Sequence, residues 1–445
     1  MSRDEFSGFF GVLVATVGSA VGLGNLWRFP YLVGQNGGAA FILIYLAFVL
    51  IICLPIALSE FIIGRKTRVN TVRAFQVLAP KTAWSGIGIV GVLAAFAILA
   101  FYTVVGGWTM DYLVRSVIHI FSKPDISALE SQFTTMVTSP VRPIVWTVVF
   151  MIVCALIVMC GIKKGIEKYS KIMMPFLFLM IVILMVRSVT LPGAGEGISF
   201  LIKPDFSKIN TSVVLAALGQ AFFSLSLGMG CLITYGSYVP DKENLTKLSF
   251  STALSDTLFA MLAGLAIMPA VFAFGISPQE GPGLVFIVLP RIFAQIPLGN
   301  VFAVMFFIIL LIAAITSVIS LLEVITAYVT EKLKLKRIVA VSAITVIVTV
   351  FASLSSLSQG VLKNVTIFGK SIFDFFDYLS ANILLPLGGL SIVIFVGWYM
   401  KKSLVYQEFT NQGTLKGTLF RAYYFIIRYI APVAIAIVFL DLILP

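Results

Sequence analysis

Charge is what this 445-residue chain has least of: 11% of its residues are Asp, Glu, Lys or Arg, while 60% are apolar. A soluble globular protein carries about a quarter charged residues. This chain therefore cannot furnish an aqueous surface for two or more domains. Histidine occurs once, as His119. One His excludes an HExxH protease site and any His-rich metal centre. The four cysteines, Cys53, Cys154, Cys160 and Cys231, lie in apolar stretches, where a free thiol packs as a small hydrophobe. A secreted disulfide scaffold is excluded. No cleavable signal peptide is expected, because the first apolar run is too long and continues as a span. No nucleophile–base–metal constellation falls at membrane depth, so an enzyme is the weakest reading.

What the chain has is hydropathy, with a mean of +1.06, in blocks long enough to cross a bilayer. The blocks run over 9–34, 39–62, 84–113, 144–161, 168–190, 213–236, 248–274, 299–329, 338–353, 373–399 and 421–443. That makes an all-α integral membrane protein of eleven spans. The segment 284–296 is apolar but too short to cross, and reads as a re-entrant or capping piece. The net charge of +12 does not point to nucleic acid, because the cations sit in short loops between spans. With the N-terminus inside, twenty of the 31 Lys and Arg fall on the cytoplasmic side and nine outside, while Arg28 and Arg428 lie within spans. That asymmetry places the N-terminus in the cytoplasm and the C-terminus outside.

Two spans are interrupted. Span 1 contains Gly22-Leu-Gly24 beside Ser19 and Asn25, and span 6 contains Gly228-Met-Gly230 beside Ser224 and Ser226. Each opens a block of five spans. An odd block length makes the second block enter from the opposite side, so the pattern predicts an inverted repeat. The expected units are 1–190 and 191–400, with 401–445 holding a loop and one extra span. Glycine-interrupted helices at matching positions point to a transport site, although Gly18-x-x-x-Gly22 also fits a simple close-packing face. Arg28, Asp256, Glu323 and Asp377 lie at membrane depth and cost a few kcal/mol each if unpaired. Arg28 and Asp377 read equally as a static bridge or a gate. Thr316-Ser317 form an adjacent hydroxyl pair in span 8. Such hydroxyls usually bond back to their own helix and become cation ligands only if they face the broken span.

The run Gly18-Ser-Ala-Val-Gly-Leu-Gly-Asn-Leu-Trp-Arg-Phe-Pro30 closely resembles the first-helix signature of the neurotransmitter:sodium symporter family, which has the LeuT fold. Asn36-Gly-Gly, Gly219-Gln-Ala-Phe-Phe-Ser-Leu-Ser226 and Thr234-Tyr-Gly-Ser-Tyr238 resemble it too. The resemblance covers nearly the whole chain. Eleven spans with short tails look like its bacterial amino-acid-transporting branch, in a cytoplasmic membrane.

The resemblance implies two sodium sites. One would use carbonyls of Gly18, Val21 and Ala313 with the hydroxyls of Thr316 and Ser317. The other would use the Ala20 carbonyl, Asn25, Ser224 and Asp256, completed by the substrate carboxylate. Many relatives have Asn at position 256 and recruit chloride near positions matching Tyr45, Gln220 and Ser224. A carboxylate there implies transport without chloride. The substrate amine would meet carbonyls near Ala20, Phe223 and Ser226. Its carboxylate would meet the Leu23 and Gly24 N–H groups and Tyr102, with Tyr102 and Phe223 as a lid. Ile98, Phe223, Ser226, Met229, Ser317 and Leu321 would line an uncharged pocket. The implied substrates are neutral hydrophobic L-amino acids, including aromatic ones. Gates are implied at Arg28 with Asp377, and at Arg3 with Glu331 near Tyr238. Phe6 stands where the family usually has Trp. Gly165 and Pro175 match a Gly-x9-Pro pattern linked to local unwinding, although a Pro kinks a helix without any such role. The competing readings are a sodium-independent exchanger of the same architecture and a channel.

Overall fold

The structure, a computed structural model, describes residues 4–118, 126–276 and 283–443. Lipid offers peptide groups no hydrogen-bond partner, so apolar runs of this length fold as helices that satisfy their own backbone. Nine continuous helices are long and apolar enough to cross a membrane: α2 (Ala39–Thr67), α3 (Ser85–Val117), α4 (Arg142–Met159), α5 (Ile162–Val189), α7 (Leu245–Ala273), α8 (Gly299–Leu333), α9 (Arg337–Leu357), α10 (Ile372–Tyr399) and α11 (Phe420–Leu440). Two further spans are each made of two pieces. α1a (Phe9–Ala20) and α1b (Gly24–Gln35) meet at a 50° bend. α6a (Thr211–Ser224) and α6b (Cys231–Gly236) are separated by six residues of irregular backbone. By length and hydropathy the described residues give nine spans, or ten with the bent α1 pair; counting the α6 pair as one span gives the expected eleven, interrupted where the glycine motifs lie.

The molecule turns apolar side chains both inward and outward. Leu50, Leu93, Ile152, Leu179, Leu254 and Val346 are exposed, which in an aqueous protein would mark an aggregation surface and here suits acyl chains. The interior is formed around the broken helices. α1a packs on α5, α7 and α8, α6b packs on α2, and α3 packs along α8. Small residues permit these approaches. A Cβ on Gly64 of α2 would lie 2.1 Å from the Ile233 carbonyl oxygen of α6b. The short apolar segment is a two-part helix over 284–295. Its Phe286 packs edge-on against Trp27 and Trp108 and stacks with Phe133. It caps the bundle and does not cross it. Cys53, Cys154 and Cys231 are buried as expected, but Cys160 is exposed, because it follows the last turn of α4 beside the loop into α5. His119 lies outside the described residues.

The break in α6 needs backbone conformations that few side chains tolerate. Ser226 has φ 54°, and Gly228 and Gly230 each have φ 77°; glycine reaches that region without a Cβ clash. Gly228 also presses against α10, where a Cβ would sit 2.4 Å from the Leu385 carbonyl oxygen. Its N–H, having no helical acceptor, donates to Glu60 Oε1 of α2 at 2.8 Å. Glu60 is fully buried. An acceptor at this depth is needed because an unsatisfied buried N–H costs about 1–3 kcal/mol. Replacing Glu60 with Ala is therefore expected to destabilise the protein by about that amount, and Glu60→Gln, which keeps an acceptor oxygen, by less. Thermal unfolding of the purified variants in detergent measures both.

Candidate functional site

The break in α1 redirects a row of peptide groups. α1a ends at Val21, whose ψ of 103° takes the chain out of the helix. The Gly22 N–H, which a helix would give to Gly18, donates to Asn25 Oδ1 at 3.3 Å. The Leu23 N–H, which Ser19 would accept, donates to the Tyr102 hydroxyl at 2.8 Å. The Asn25 N–H reaches back only to Gly22 O, at 3.1 Å, and so leaves Val21. Ser19 O is compensated by the Ser226 hydroxyl at 2.9 Å, which ties the two breaks together. The carbonyls of Gly18 and Val21 thus lose their helical donors at the point where the chain faces α8. Gly18 lies against Thr316, a Cβ there falling 3.2 Å from Thr316 Cβ. A Cβ on Gly22 would lie 2.5 Å from Ser317 Oγ and 2.8 Å from Tyr102 Oη. The Ser317 hydroxyl of α8 therefore faces the broken span, whereas Thr316 meets Gly18 through its Cβ and methyl. The Thr316 hydroxyl donates to Ile312 O at 3.0 Å and Ala313 O at 3.1 Å, which is the back-bonded arrangement.

On the other side of α1, a single carboxylate is knotted into neutral groups. Asp256 of α7 is fully buried, as is Asn25. Asn25 Nδ2 donates to Asp256 Oδ1 at 2.8 Å and to Ser224 Oγ at 3.3 Å. Ser224 Oγ donates to Asp256 Oδ2 at 2.6 Å, and the Tyr45 hydroxyl reaches Ser224 Oγ at 3.4 Å. Gln220 Nε2 donates to Gly24 O at 3.2 Å. No Lys or Arg of the described residues pairs with Asp256. A buried carboxylate without a cation is costly, and an oxygen-rich shell carrying one negative charge suits a hard monovalent ion. The described residues hold no group of three or more His, Cys, Asp or Glu that could bind a metal.

Between the two clusters lies a cavity lined by Ser19, Ala20, Gly22, Gly24, Ile98, Tyr102, Phe223, Ser226, Met229, Ser317 and Leu321. Every side chain expected to line a pocket is on this wall, and none is charged. A second, outer cavity is lined by Leu23, Gly24, Trp27, Arg28, Tyr31, Phe101, Tyr102, Val105, Phe223, Phe373, Asp377, Ala381 and Asn382. Gly24, Tyr102 and Phe223 belong to both walls, so the two rings stand between the chambers.

The expected gates are placed as follows. Arg28 and Asp377 line the same outer cavity without closing to an ion pair among the described residues; the Arg28 guanidinium instead lies over the Phe223 ring at 4.9 Å. Arg3 lies outside the described residues. Glu331 accepts from the Asn70 side chain at 2.7 Å and its backbone N–H at 3.1 Å. The Tyr238 hydroxyl donates to Glu323 at 2.7 Å, and Glu323 pairs with Arg337 of α9. Phe6 fills the position usual for Trp, edge-on to Tyr235 and Tyr238. In α5 the wide turn over Ile162–Glu167 contains Gly165, where a Cβ would sit 2.1 Å from Ile157 O, and Pro175 lies within the helix.

Reading the sequence missed Glu60 and Glu167, and noted Ser19 and Gly22 at the break without placing them on the pocket wall. Glu60 carried a signal, being a lone acid inside an apolar run. Ser19 and Gly22 matter through backbone and position at the break. Glu167 accepts from the Ser7 N–H at 3.0 Å and from Lys171 at 2.6 Å, fastening the start of α1a to α5.

The whole chain can be compared with known proteins. The family described as the sodium:neurotransmitter symporter family matches residues 3–123 and 131–444. The chain is 40% identical to the uncharacterized sodium-dependent transporter YhdH of Bacillus subtilis, over 99% of this chain and 97% of that protein. It is likewise 40% identical to an uncharacterized sodium-dependent transporter of Haemophilus influenzae, over 99% and 98%. The crystal structure of MhsT in complex with L-phenylalanine superposes with a TM-score of 0.92 at 45% identity, covering 99% of this chain and 100% of that one. With broken helices at matching places and these relatives along its full length, the chain belongs to the sodium:neurotransmitter symporter family and has its LeuT fold.

Proposed function

We propose that the protein imports neutral hydrophobic L-amino acids, aromatic ones included, together with two sodium ions and without chloride. The arrangement that carries this reading is the uncharged pocket lying between the Asp256–Asn25–Ser224 knot and the Gly18–Thr316 contact. The L-phenylalanine in the MhsT complex supports the substrate class. Ala20, Asn25, Ser224 and Asp256 would hold one ion with the substrate carboxylate. Gly18, Val21, Ala313, Thr316 and Ser317 would hold the other. An ion bound partly by the substrate links the two affinities reciprocally, which is the physical basis of coupling. Asp256 supplies the negative charge that a chloride would otherwise bring to the Tyr45–Ser224 corner. The Leu23 and Gly24 N–H groups and the Tyr102 hydroxyl would take the substrate carboxylate, and carbonyls at Ala20, Phe223 and Ser226 its amine.

Alternating access follows from two half-helices hinged at one midplane site. The repeating units are 1–190 and 191–400, with 401–445 as an appendage. Arg28 with Asp377 would close the outer side over Tyr102 and Phe223. Arg3 with Glu331, beside Tyr238, would close the inner side, with the N-terminus in the cytoplasm and the chain in the cytoplasmic membrane. A sodium-independent exchanger remains the second reading, favoured by the bonds of Thr316 back to its own helix.

Uptake of labelled leucine, tyrosine and tryptophan into proteoliposomes separates the two. Accumulation is expected only with an inward sodium gradient and is expected to persist when gluconate replaces chloride; equal flux in choline would favour the exchanger. Asp256→Asn should raise the sodium concentration for half-maximal uptake about tenfold, the equivalent of about 1.4 kcal/mol, and should render uptake sensitive to chloride. In the pocket, Met229→Phe adds rigid volume beside Ile98 and Leu321, and overpacking costs about 1–3 kcal/mol. Tryptophan affinity is expected to fall about tenfold relative to leucine, read by competition against labelled leucine.

A further inference from the structure

Arg428 has no role in the transport site, yet it lies within α11. Its guanidinium lies 4.5 Å from the Trp398 ring centre and 5.6 Å from that of Tyr429, and the two rings meet edge-on at 5.8 Å. The Trp398 indole N–H donates to the Arg428 carbonyl at 2.9 Å. At the same level α10 and α11 touch through their backbones, a Cβ on Gly397 falling 3.0 Å from Arg428 Cα. Arg428 Nε is buried without a hydrogen-bond partner, and among the described residues no carboxylate pairs with the side chain. Trp398 and Tyr429 are about half exposed, on the outer surface of the bundle. Lys401 and Lys402 lie just beyond the end of α10 and Arg421 lies in the first turn of α11, all three exposed.

We propose that Arg428, framed by Trp398 and Tyr429, binds the phosphodiester of an anionic phospholipid in the leaflet at the cation-rich end of the bundle. A guanidinium presents a planar fork that matches phosphate oxygens. Trp and Tyr settle at headgroup level, apolar body inward and polar edge outward. The neighbouring cations add a field that selects an anionic headgroup over a zwitterionic one. The ring pair holds the fork in place before the lipid arrives.

Native mass spectrometry of the full-length protein, titrated with phosphatidylglycerol or phosphatidylcholine, reads occupancy directly. The first phosphatidylglycerol is expected to bind tighter than phosphatidylcholine by a factor of about five or more. Arg428→Gln should remove that preference and leave phosphatidylcholine binding unchanged. Arg428→Lys, which keeps the charge and loses the fork, should fall between, and Lys332→Gln, on the same side but remote from the rings, should behave as wild type. An unchanged thermal melt without added lipid identifies variants that are folded; if Arg428→Gln does not fold, Trp398→Leu and Arg428→Lys carry the test. Equal binding of the two lipids, undiminished preference in folded Arg428 variants, or displacement of phosphatidylglycerol by millimolar inorganic phosphate would overturn the assignment.

Discussion

A helix broken inside a bilayer exposes peptide groups that neither water nor lipid can satisfy, and this protein breaks two. Much of the remaining architecture answers that constraint. α2 contributes Glu60, a buried acceptor for the Gly228 N–H. α3 contributes Tyr102, which accepts from Leu23, and α1 and α6 satisfy each other where Ser226 meets the Ser19 carbonyl. The surrounding helices come close enough to do this because the contact positions are glycine: Gly64 against α6b, Gly228 and Gly388 against each other, and Gly18 against Thr316.

Two breaks side by side turn a backbone liability into a recognition surface. The break of α1 meets Ser317 of α8 at Gly22, and Asn25 turns the chain onto the one acid of α7. A low-dielectric setting strengthens whatever polar contacts form there. Asp256 is a single carboxylate held among the neutral groups of Asn25 and Ser224. Phe223 and Tyr102 separate the central cavity from the outer one. The cationic face of Arg28 rests on Phe223, so movement of the ring and of the charge would be linked.

The two ends of the bundle are fastened differently. At the side bearing the start of α1a, Phe6 wedges between Tyr235 and Tyr238, Ser7 reaches Glu167, and Glu323 gathers both Tyr238 and Arg337. At the other, Arg28 and Asp377 share a cavity without an ion pair. The polar ties are thus concentrated at one end and the open chamber lies at the other.

Hydropathy alone determined the eleven spans, and glycine pairs 206 residues apart in the sequence determined which two are interrupted. Both signals are local: bilayer thickness sets the length of a run, and glycine most readily reaches the left-handed angles that Gly228 and Gly230 adopt in the break of α6. The residues of the central pocket were legible for another reason, since a long signature in the first span resembles one family and carries its neighbours with it. What local pattern could not decide is which polar groups meet. Glu60 looked like a stray acid until the fold set it under Gly228, and Glu323 was a charge without a partner until α9 brought Arg337 to it. Thr316 closes on its own helix, whereas the packing of α8 on α1 sets Ser317 against Gly22 at the break. Partnership across a bundle depends on the rotation of each helix about its axis. That rotation is set by small-residue contacts between chains of residues far apart in sequence, and so it belongs to the tertiary structure.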